Sequence, residues 1–301
     1  MAAVLAVLIG AGAQVGGAPL ARSLGVDRAS DLNPLVNLKA THASFDKNGG
    51  SLLGGDPINI LVLGVDDKPN DGSGSTARRS DTIMLVRISP QSGMIKLLSV
   101  PRDLMVEVSP GVESKVNAAY SYGGVSQTVS ALENYADIRI DRYAIVDFEG
   151  FEAVVDDIGG VTVDSKGGFP PNVHIKEGVQ HLNGRRALLY ARYRGTPGGD
   201  LDRIERQQQL VAALRSKALR WNGVRKLPSV AATIEDHVQT DMGVQEAITL
   251  GRVLLQHGRE ARMTATQLKG TPETLPDGEQ VLRPDTQANQ ALLREFRYQA
   301  P

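Results

Sequence analysis

The chain contains no cysteine among its 301 residues, which excludes disulfide bonds, thiol catalysis and cysteine-ligated zinc or iron–sulfur sites. It also lacks an excess of charge of either sign, because 33 lysines and arginines are balanced by 34 aspartates and glutamates. A general nucleic-acid-binding protein needs a broad positive surface, so nucleic acid is not an expected partner. The five histidines show no metal-ligand spacing, which argues against a zinc hydrolase.

Long hydrophobic runs are equally scarce. Residues 1–21 carry no charged side chain, but their strongly apolar part, residues 2–9, is short for a membrane-spanning helix. We interpret 1–21 as a signal-anchor or truncated transmembrane segment, with a buried N-terminal helix as the alternative. Residues 22–56 are polar and weakly periodic, which is typical of a stalk or linker. Residues 57–301 contain enough apolar sequence for one globular domain.

Apolar runs of strand length alternate with helical patterns over this domain, which predicts an α/β fold with helices on both faces of a central sheet. The predicted strands are Ile58–Val65, Asp81–Ile88, Met94–Val100, Tyr143–Phe148, Val161–Val163 and Met263–Leu268. The predicted helices are Val125–Ala136, Phe151–Ile158, Gly184–Ala191, a long helix from Asp200 or Asp202 to about Leu219, Pro228–His237, Val244–His257 and Gln287–Phe296. The second and third strands are close enough to form a hairpin.

Two carboxylates stand at ends of predicted strands. Asp66 directly follows the first strand, and Asp81 opens the second. Open α/β sheets place their ligands at strand ends, and Mg²⁺ is commonly held by one or two carboxylates together with substrate phosphates. The sequence therefore predicts a magnesium site at Asp66 and Asp81. Turn formation or helix capping is the alternative role for each aspartate.

Arg102 and Asp103 also follow a strand, within the sequence VPRD at Val100–Asp103. Pro101 has a fixed φ and no N–H, so the chain leaves the strand along a defined path. We therefore expect Arg102 to point from a fixed position near the end of the sheet.

Arginines are concentrated between residues 185 and 209, at Arg185, Arg186, Arg192, Arg194, Arg203 and Arg206. The guanidinium fork binds phosphate oxygens bidentately, so this cluster indicates a phosphorylated ligand; a solvated basic helix face is the alternative. Arg203, Arg206 and Gln207 are spaced i, i+3 and i+4, which places them on one face in the first turns of the long helix, where the helix dipole favours an anion. Leu210 and Leu214 continue that face as an apolar surface.

Six blocks of the sequence, taken together and in this order, resemble the LytR-CpsA-Psr family. They are GVDD at Gly64–Asp67, RSDTIML at Arg79–Leu85, SVPRD at Ser99–Asp103, KVNAAYSYGG at Lys115–Gly124, VDFEGFEAVVDDIGGV at Val146–Val161, and ARYR followed by DLDRIERQQQ between Ala191 and Gln209. The blocks span about residues 58 to 219. The later elements, up to about Phe296, also resemble the family's closing elements.

This resemblance implies a single catalytic domain, residues 57–301, with a central mixed β-sheet. It implies an extracytoplasmic enzyme, anchored in the cell membrane by an N-terminal segment, that moves a glycopolymer from a polyprenyl-pyrophosphate carrier onto peptidoglycan. The usual acceptor is the C6 hydroxyl of N-acetylmuramic acid. Carried over by position, Asp66 and Asp81 resemble the Mg²⁺ ligands. The residues that resemble the pyrophosphate-binding group are Arg79, Arg102, Arg192, Arg194, Arg203 and Gln207, and helical spacing adds Arg206.

The residues and the resemblance point to one mechanism. Cleavage of a pyrophosphate develops charge on its oxygens, which a magnesium ion and converging arginines stabilise, and we assign Arg102, Arg192 and Arg194 to this catalytic role. The acceptor hydroxyl needs a base, and Asp81 and Asp103 are both candidates. Two alternatives stay open: a polyprenyl-pyrophosphate hydrolase that uses the same residues, and a non-catalytic protein that binds a lipid-linked glycan or acts as a regulator.

Overall fold

A computed structural model describes residues 56–65, 80–197, 199–218, 237–242, 250 and 262–298. The described residues form two compact units. The sheet unit takes its residues from His42–Ile145 and Arg262–Pro301, and the helical unit takes them from Val146–Ala261. The predicted segment 1–21 and nearly all of the predicted stalk 22–56 lie outside the described residues. So do the predicted helices Pro228–His237 and Val244–His257, apart from His237 and Leu250.

The central sheet has six strands, five of which lie wholly or mainly in the sheet unit. These five are β1 Ile58–Val65, β2 Ser80–Ser89, β3 Met94–Val100, β6 Arg142–Asp147 and β10 Met263–Gln267. Their spatial order is β10-β3-β2-β1-β6. β2 pairs antiparallel with both β1 and β3, whereas β10 runs parallel to β3. The mixed sheet confirms the α/β class, and the β2–β3 pairing confirms the predicted hairpin.

The continuous apolar run of β1 is buried on both faces of the sheet. Leu61 and Leu63 join the core under two helices, α1 at Ala118–Ala136 and α5 at Thr286–Arg297. Ile60 and Val62, which alternate with them, are 4% and 1% exposed. Since successive side chains of a strand point to opposite faces, both faces of β1 need apolar residues.

Helix α1 begins at Ala118, earlier than the predicted start at Val125. Gly123 and Gly124 interrupt it with non-helical backbone angles, and Gly124 has φ 65° and ψ −149°. A side chain at that position would be strained, so glycine is required. Because the two glycines break the apolar periodicity, the sequence pattern does not predict that the residues before Val125 belong to the same helix.

Two short hairpins of the sheet unit were not predicted. One pairs β4 Met105–Ser109 with β5 Val112–Lys115, and the other pairs β11 Gly270–Thr274 with β12 Gln280–Pro284. Leu104 and Leu282 join them through a parallel bridge. The C-terminal hairpin is thereby fastened to the loop that follows β3.

The helical unit contains the arginine-rich segment. Its helices are α2 Phe148–Asp157, α3 Gly184–Arg192 and α4 Asp200–Ala218, and its strands are β7 Val161–Ser165, β8 Gly178–Leu182 and β9 Val238–Thr240, with a 3-10 turn at Pro171–Val173. Asn183 caps α3 as predicted, because its side chain accepts from Arg186 N at 3.0 Å. α2 starts at Phe148 rather than Phe151, since Asp147 Oδ1 accepts from Gly150 N at 2.6 Å and caps the helix there.

Candidate functional site

Backbone hydrogen bonds hold the loop after β3 in place. Asn117 N donates to Arg102 O at 3.2 Å, and Leu282 N on β12 donates to Asp103 O at 2.9 Å. Pro101, between these residues and β3, restricts the chain further. The side chains of Arg102 and Asp103 therefore extend from a fixed backbone, as the sequence predicted for Arg102.

Arg102 lies between two carboxylates. Its Nη1 is 2.5 Å from Asp81 Oδ1, and its Nε is 3.4 Å from Asp103 Oδ2. The side chains of Arg102, Asp81 and Asp103 are 25%, 26% and 28% exposed, so the group is partly shielded but open to a ligand. Burial acts to lower the pKa of Arg102, but the carboxylates of Asp103 and Asp81 outweigh it and raise that pKa above its usual value. The structure thus brings together three of the predicted catalytic residues.

Two further side chains extend this group into a row of alternating charges. Lys115 Nζ lies 3.6 Å from Asp103 Oδ1 and 2.9 Å from Glu279 Oε1. Sequence reasoning gave neither residue a role. Lys115 lies in the KVNAAYSYGG block that carries the family resemblance, so the sequence did indicate a functional position there. Glu279 lies next to a turn and belongs to no recognisable motif.

The first turns of α4 bury three of the predicted phosphate-binding residues. Arg203, Arg206 and Gln207 are 3%, 7% and 4% exposed. Gln207 Nε2 donates to Ala191 O, the penultimate residue of α3, at 3.4 Å. The apolar continuation of the helix face is also buried, at Leu210 and Leu214. The long helix is therefore confirmed, and its polar end packs against the end of α3.

Arg206 donates hydrogen bonds to the end of α3 and to the segment that joins α3 to α4. Its Nε donates to Tyr190 O at 3.1 Å, its Nη1 to Thr196 Oγ1 at 3.2 Å, and its Nη2 to Tyr193 O. Its guanidinium also lies over the rings of Phe169 and Tyr190, at 5.5 and 5.9 Å from their centroids. Burial lowers the pKa of Arg206. These bonds hold the connection between the helices, so they give Arg206 a structural task beside the predicted contact with substrate.

Arg192 and Arg194 are exposed residues at and just beyond the C-terminal end of α3. The Arg192 guanidinium lies 4.0 Å from the centroid of Phe148, the first residue of α2, in a cation–π arrangement. Close packing fixes the start of α3, because a Cβ on Gly184 would lie 2.0 Å from Glu152 O. Arg192 therefore extends from a helix with a well-defined position.

Two predicted site residues, Asp66 and Arg79, lie outside the described residues. Within the ranges that the structure describes, no group of three or more histidine, aspartate or glutamate side chains could hold a metal ion. Mg²⁺ is more often held by one or two carboxylates with substrate phosphates than by an all-protein cage, and the partly exposed carboxylate of Asp81 suits that donor set. None of the helices in the described part of the chain is long and apolar enough to cross a membrane.

Known proteins are similar to this chain in sequence and in fold. Teichoic acid transferase TagV of Bacillus subtilis (strain 168), a polyisoprenyl-teichoic acid–peptidoglycan teichoic acid transferase, is 34% identical over 209 residues, which make up 65% of this chain and 53% of TagV. The chain thus matches about half the length of that relative. A crystal structure of B. subtilis TagV superposes with a TM-score of 0.68 at 31% identity and covers 82% of this chain and 99% of the solved one.

A second solved structure, TagT bound to LI-WTA, superposes with a TM-score of 0.70 at 25% identity, over 85% of this chain and 98% of the other. The sequence model of the LytR_cpsA_psr family matches residues 28–297. That match takes in every described site residue and most of the chain. The chain therefore belongs to the LytR_cpsA_psr family.

Proposed function

We propose that this chain is a phosphotransferase that moves a glycopolymer from a polyprenyl-pyrophosphate carrier onto peptidoglycan in the cell envelope. The observation that carries the proposal is the position of Arg102, between Asp81 and Asp103 at the end of β3. Two further findings support a lipid-linked glycopolymer as the substrate class: the family membership of the chain, and the teichoic acid transferase activity named for TagV.

The contacts of Arg102 leave it a defined way to bind an anion. Asp81 and Asp103 take Nη1 and Nε, so we assign the two donors on Nη2 to the pyrophosphate oxygens. A fixed cation at an oxygen that gains charge stabilises the transition state without reorganisation. Further donors in this proposal come from Arg79, Arg192, Arg194, Arg203 and Gln207. Arg206 contributes by holding the segment between α3 and α4. Asp81 or Asp103 accepts the proton of the acceptor hydroxyl, whose oxygen bonds to the phosphorus that carries the glycan. The bridging P–O bond of the pyrophosphate breaks at the same time, and polyprenyl phosphate leaves.

Asp66 and Asp81 are the residues that would hold Mg²⁺ in this proposal. Asp81 is already paired with Arg102, which keeps its carboxylate charged for such a role. A bound Mg²⁺ would neutralise charge on the phosphate oxygens. Residues 1–21, which carry no charge, would place the catalytic residues outside the cytoplasm next to the lipid carrier. A periplasmic reporter fused after residue 21 that stays in the cytosol would contradict that topology.

The test uses the full chain with a radiolabelled glycopolymer on a polyprenyl-pyrophosphate carrier, with and without peptidoglycan. We expect label to become covalently attached to peptidoglycan, and an excess of chelator to reduce the rate by about a hundredfold, with recovery on addition of Mg²⁺. Release of phosphorylated glycan at the same rate without peptidoglycan would instead identify a hydrolase. Binding of the carrier without any product would identify a binding or regulatory protein. Full activity in excess chelator would contradict the proposed role of Mg²⁺.

A further inference from the structure

A small cavity of about 150 Å³ lies within the helical unit, beside the helix α4. Its lining includes an aromatic and cationic group, Phe169, Tyr190 and Arg206, and a polar group on α4, Asp202, Glu205 and Gln209. Pockets for drug-sized ligands occupy roughly 300–1,000 Å³, so this cavity has room for a single ring. Apart from Arg206, none of these residues has a part in the proposed transfer reaction.

The aromatic residues of the lining are held in place by one another and by Arg206. The half-buried ring of Phe169 stacks on the buried ring of Tyr190, with centroids 5.5 Å apart and planes 24° apart. Tyr193 supports Phe169 from another direction, at 4.8 Å. The Arg206 guanidinium lies over both Phe169 and Tyr190, which fixes them further. The face of such a ring carries partial negative charge and attracts the weakly positive C–H groups on one face of a sugar ring.

The polar side of the cavity offers hydrogen-bonding groups in a regular array. Asp202, Glu205 and Gln209 follow one another at i+3 and i+4 along α4, and therefore share one helix face. Tyr190 Oη donates to Gln209 Oε1 at 2.6 Å, which turns the amide Nε2 of Gln209 into an oriented donor. Carboxylates that accept and an amide that donates match sugar hydroxyls, since each hydroxyl can do both.

The charges of the cavity balance. Lys166 and Arg206 contribute two positive charges, and Asp202 and Glu205 contribute two negative ones. Lys166 Nζ bonds both carboxylate oxygens of Glu205, at 2.6 and 2.8 Å. A phosphate would meet two carboxylates here, so the cavity favours a neutral ligand. This separates it from the arginines that we assign to pyrophosphate.

From the stacked aromatic face, the hydroxyl-matched polar face and the balanced charge, we propose that this cavity is a subsite for one neutral pyranose ring of a glycan. The inference rests on the proposed function, because glycan transfer supplies the ligand class. The ring belongs either to the peptidoglycan acceptor or to the transferred polymer. Both sources present the same chemistry to Phe169 and Glu205.

The test is ligand-observed NMR titration of the full chain with two probes. One probe is a soluble glycan fragment released from peptidoglycan by a muramidase, and the other is glycosylated teichoic acid freed of its lipid. We expect at least one probe to bind, and Phe169→Ala and Glu205→Ala each to raise its Kd about tenfold or more. The probe that binds identifies the source of the ring.

Glu205→Ala keeps the experiment decisive if loss of the Phe169 ring unfolds the unit, because Glu205 is half exposed and its partner Lys166 is 75% exposed. Glu273→Ala is the matched control, since it removes a comparable exposed ion pair, with Arg283, in the sheet unit. Failure of both probes to bind, or equal binding by Glu205→Ala and Glu273→Ala, overturns the subsite. Binding that depends on Glu205 in a protein without transfer activity supports the subsite and overturns the proposed function alone.

Discussion

Arg102 and Arg206 are the same residue type in two very different environments. Arg102, in the sheet unit, faces the carboxylates of Asp81 and Asp103 and is a quarter exposed. Arg206, in the helical unit, is 7% exposed and donates to two backbone carbonyls and one hydroxyl. Their pKa values shift in opposite directions: the carboxylates raise that of Arg102, and burial lowers that of Arg206.

The difference separates an arginine that can bind a ligand from one that holds the fold. Side-chain carboxylates at a partly exposed edge can share a guanidinium with an incoming anion. Buried backbone carbonyls cannot, because they lose a hydrogen bond that nothing replaces. Two arginines that look equivalent in the sequence as phosphate ligands therefore differ in the structure: Arg102 is placed where it can meet a ligand, and Arg206 holds neighbouring backbone in place.

Replacement of Arg206 by alanine is expected to have the largest effect, on stability. Three hydrogen bonds from a charged donor each contribute about 1.5–3 kcal/mol, and their losses overlap, so the free energy of unfolding should fall by about 4 kcal/mol. Chemical denaturation of the purified chain measures it. Arg206→Lys should recover little, because an ammonium group cannot reach three acceptors that fit a planar fork. A loss below about 1 kcal/mol would show that these bonds do not hold the unit.

Arg102→Ala should act on the reaction and leave the fold intact. We expect kcat/KM to fall by about a hundredfold, which corresponds to about 2.7 kcal/mol, while the thermal midpoint changes little. Transfer kinetics and a thermal melt of the same preparation separate the two effects. Arg102→Lys keeps the charge but not the fork, so it should restore activity only in part. Turnover within about threefold of the original protein would contradict the catalytic assignment of Arg102.

Lys115→Met tests whether the row of charges positions Arg102. Without Lys115, Asp103 loses one of its two cationic neighbours and can shift the Arg102 guanidinium, so we expect kcat to fall about tenfold with KM nearly unchanged. Lys115→Arg should restore most of the rate, which a purely structural loss would not explain. Glu279→Ala, one step further along the row, should have a smaller effect. An unchanged kcat in Lys115→Met would limit the site to Asp81, Arg102 and Asp103.

Arg283→Ala should have the smallest effect. Arg283 also faces two carboxylates, with Nε 2.5 Å from Glu273 Oε2 and Nη1 3.2 Å from Glu113 Oε2, but it is 41% exposed and lies on the hairpin strand β12. Exposed ion pairs stabilise proteins little, so the melting temperature should stay within about 2 °C and the transfer rate should not change. A large fall in activity here would mean that flanking carboxylates alone do not distinguish a catalytic arginine.

Much of the framework could be predicted from local sequence. The apolar run of β1, the short turn between β2 and β3, and the cap at Asn183 each depend on neighbouring residues, which a sequence displays directly. The hairpin β11–β12 could not be predicted, because its exposed strand GTPET carries no apolar alternation. Its pairing with the loop after β3 depends on Leu104 and Leu282, which are far apart along the chain.

The candidate site divides in the same way. Sequence alone was enough to predict that Arg102 follows a strand and that Arg203, Arg206 and Gln207 share a helix face, because strand ends and helical spacing are local properties. The folded chain was needed to show that Asp81 is a partner of Arg102 and that Lys115 and Glu279 continue the row. It was also needed to show that Arg206 is enclosed by Tyr190, Tyr193 and Thr196. Burial and the choice of hydrogen-bond acceptor depend on which distant segments pack together, and the spacing of residues along a chain does not contain that information.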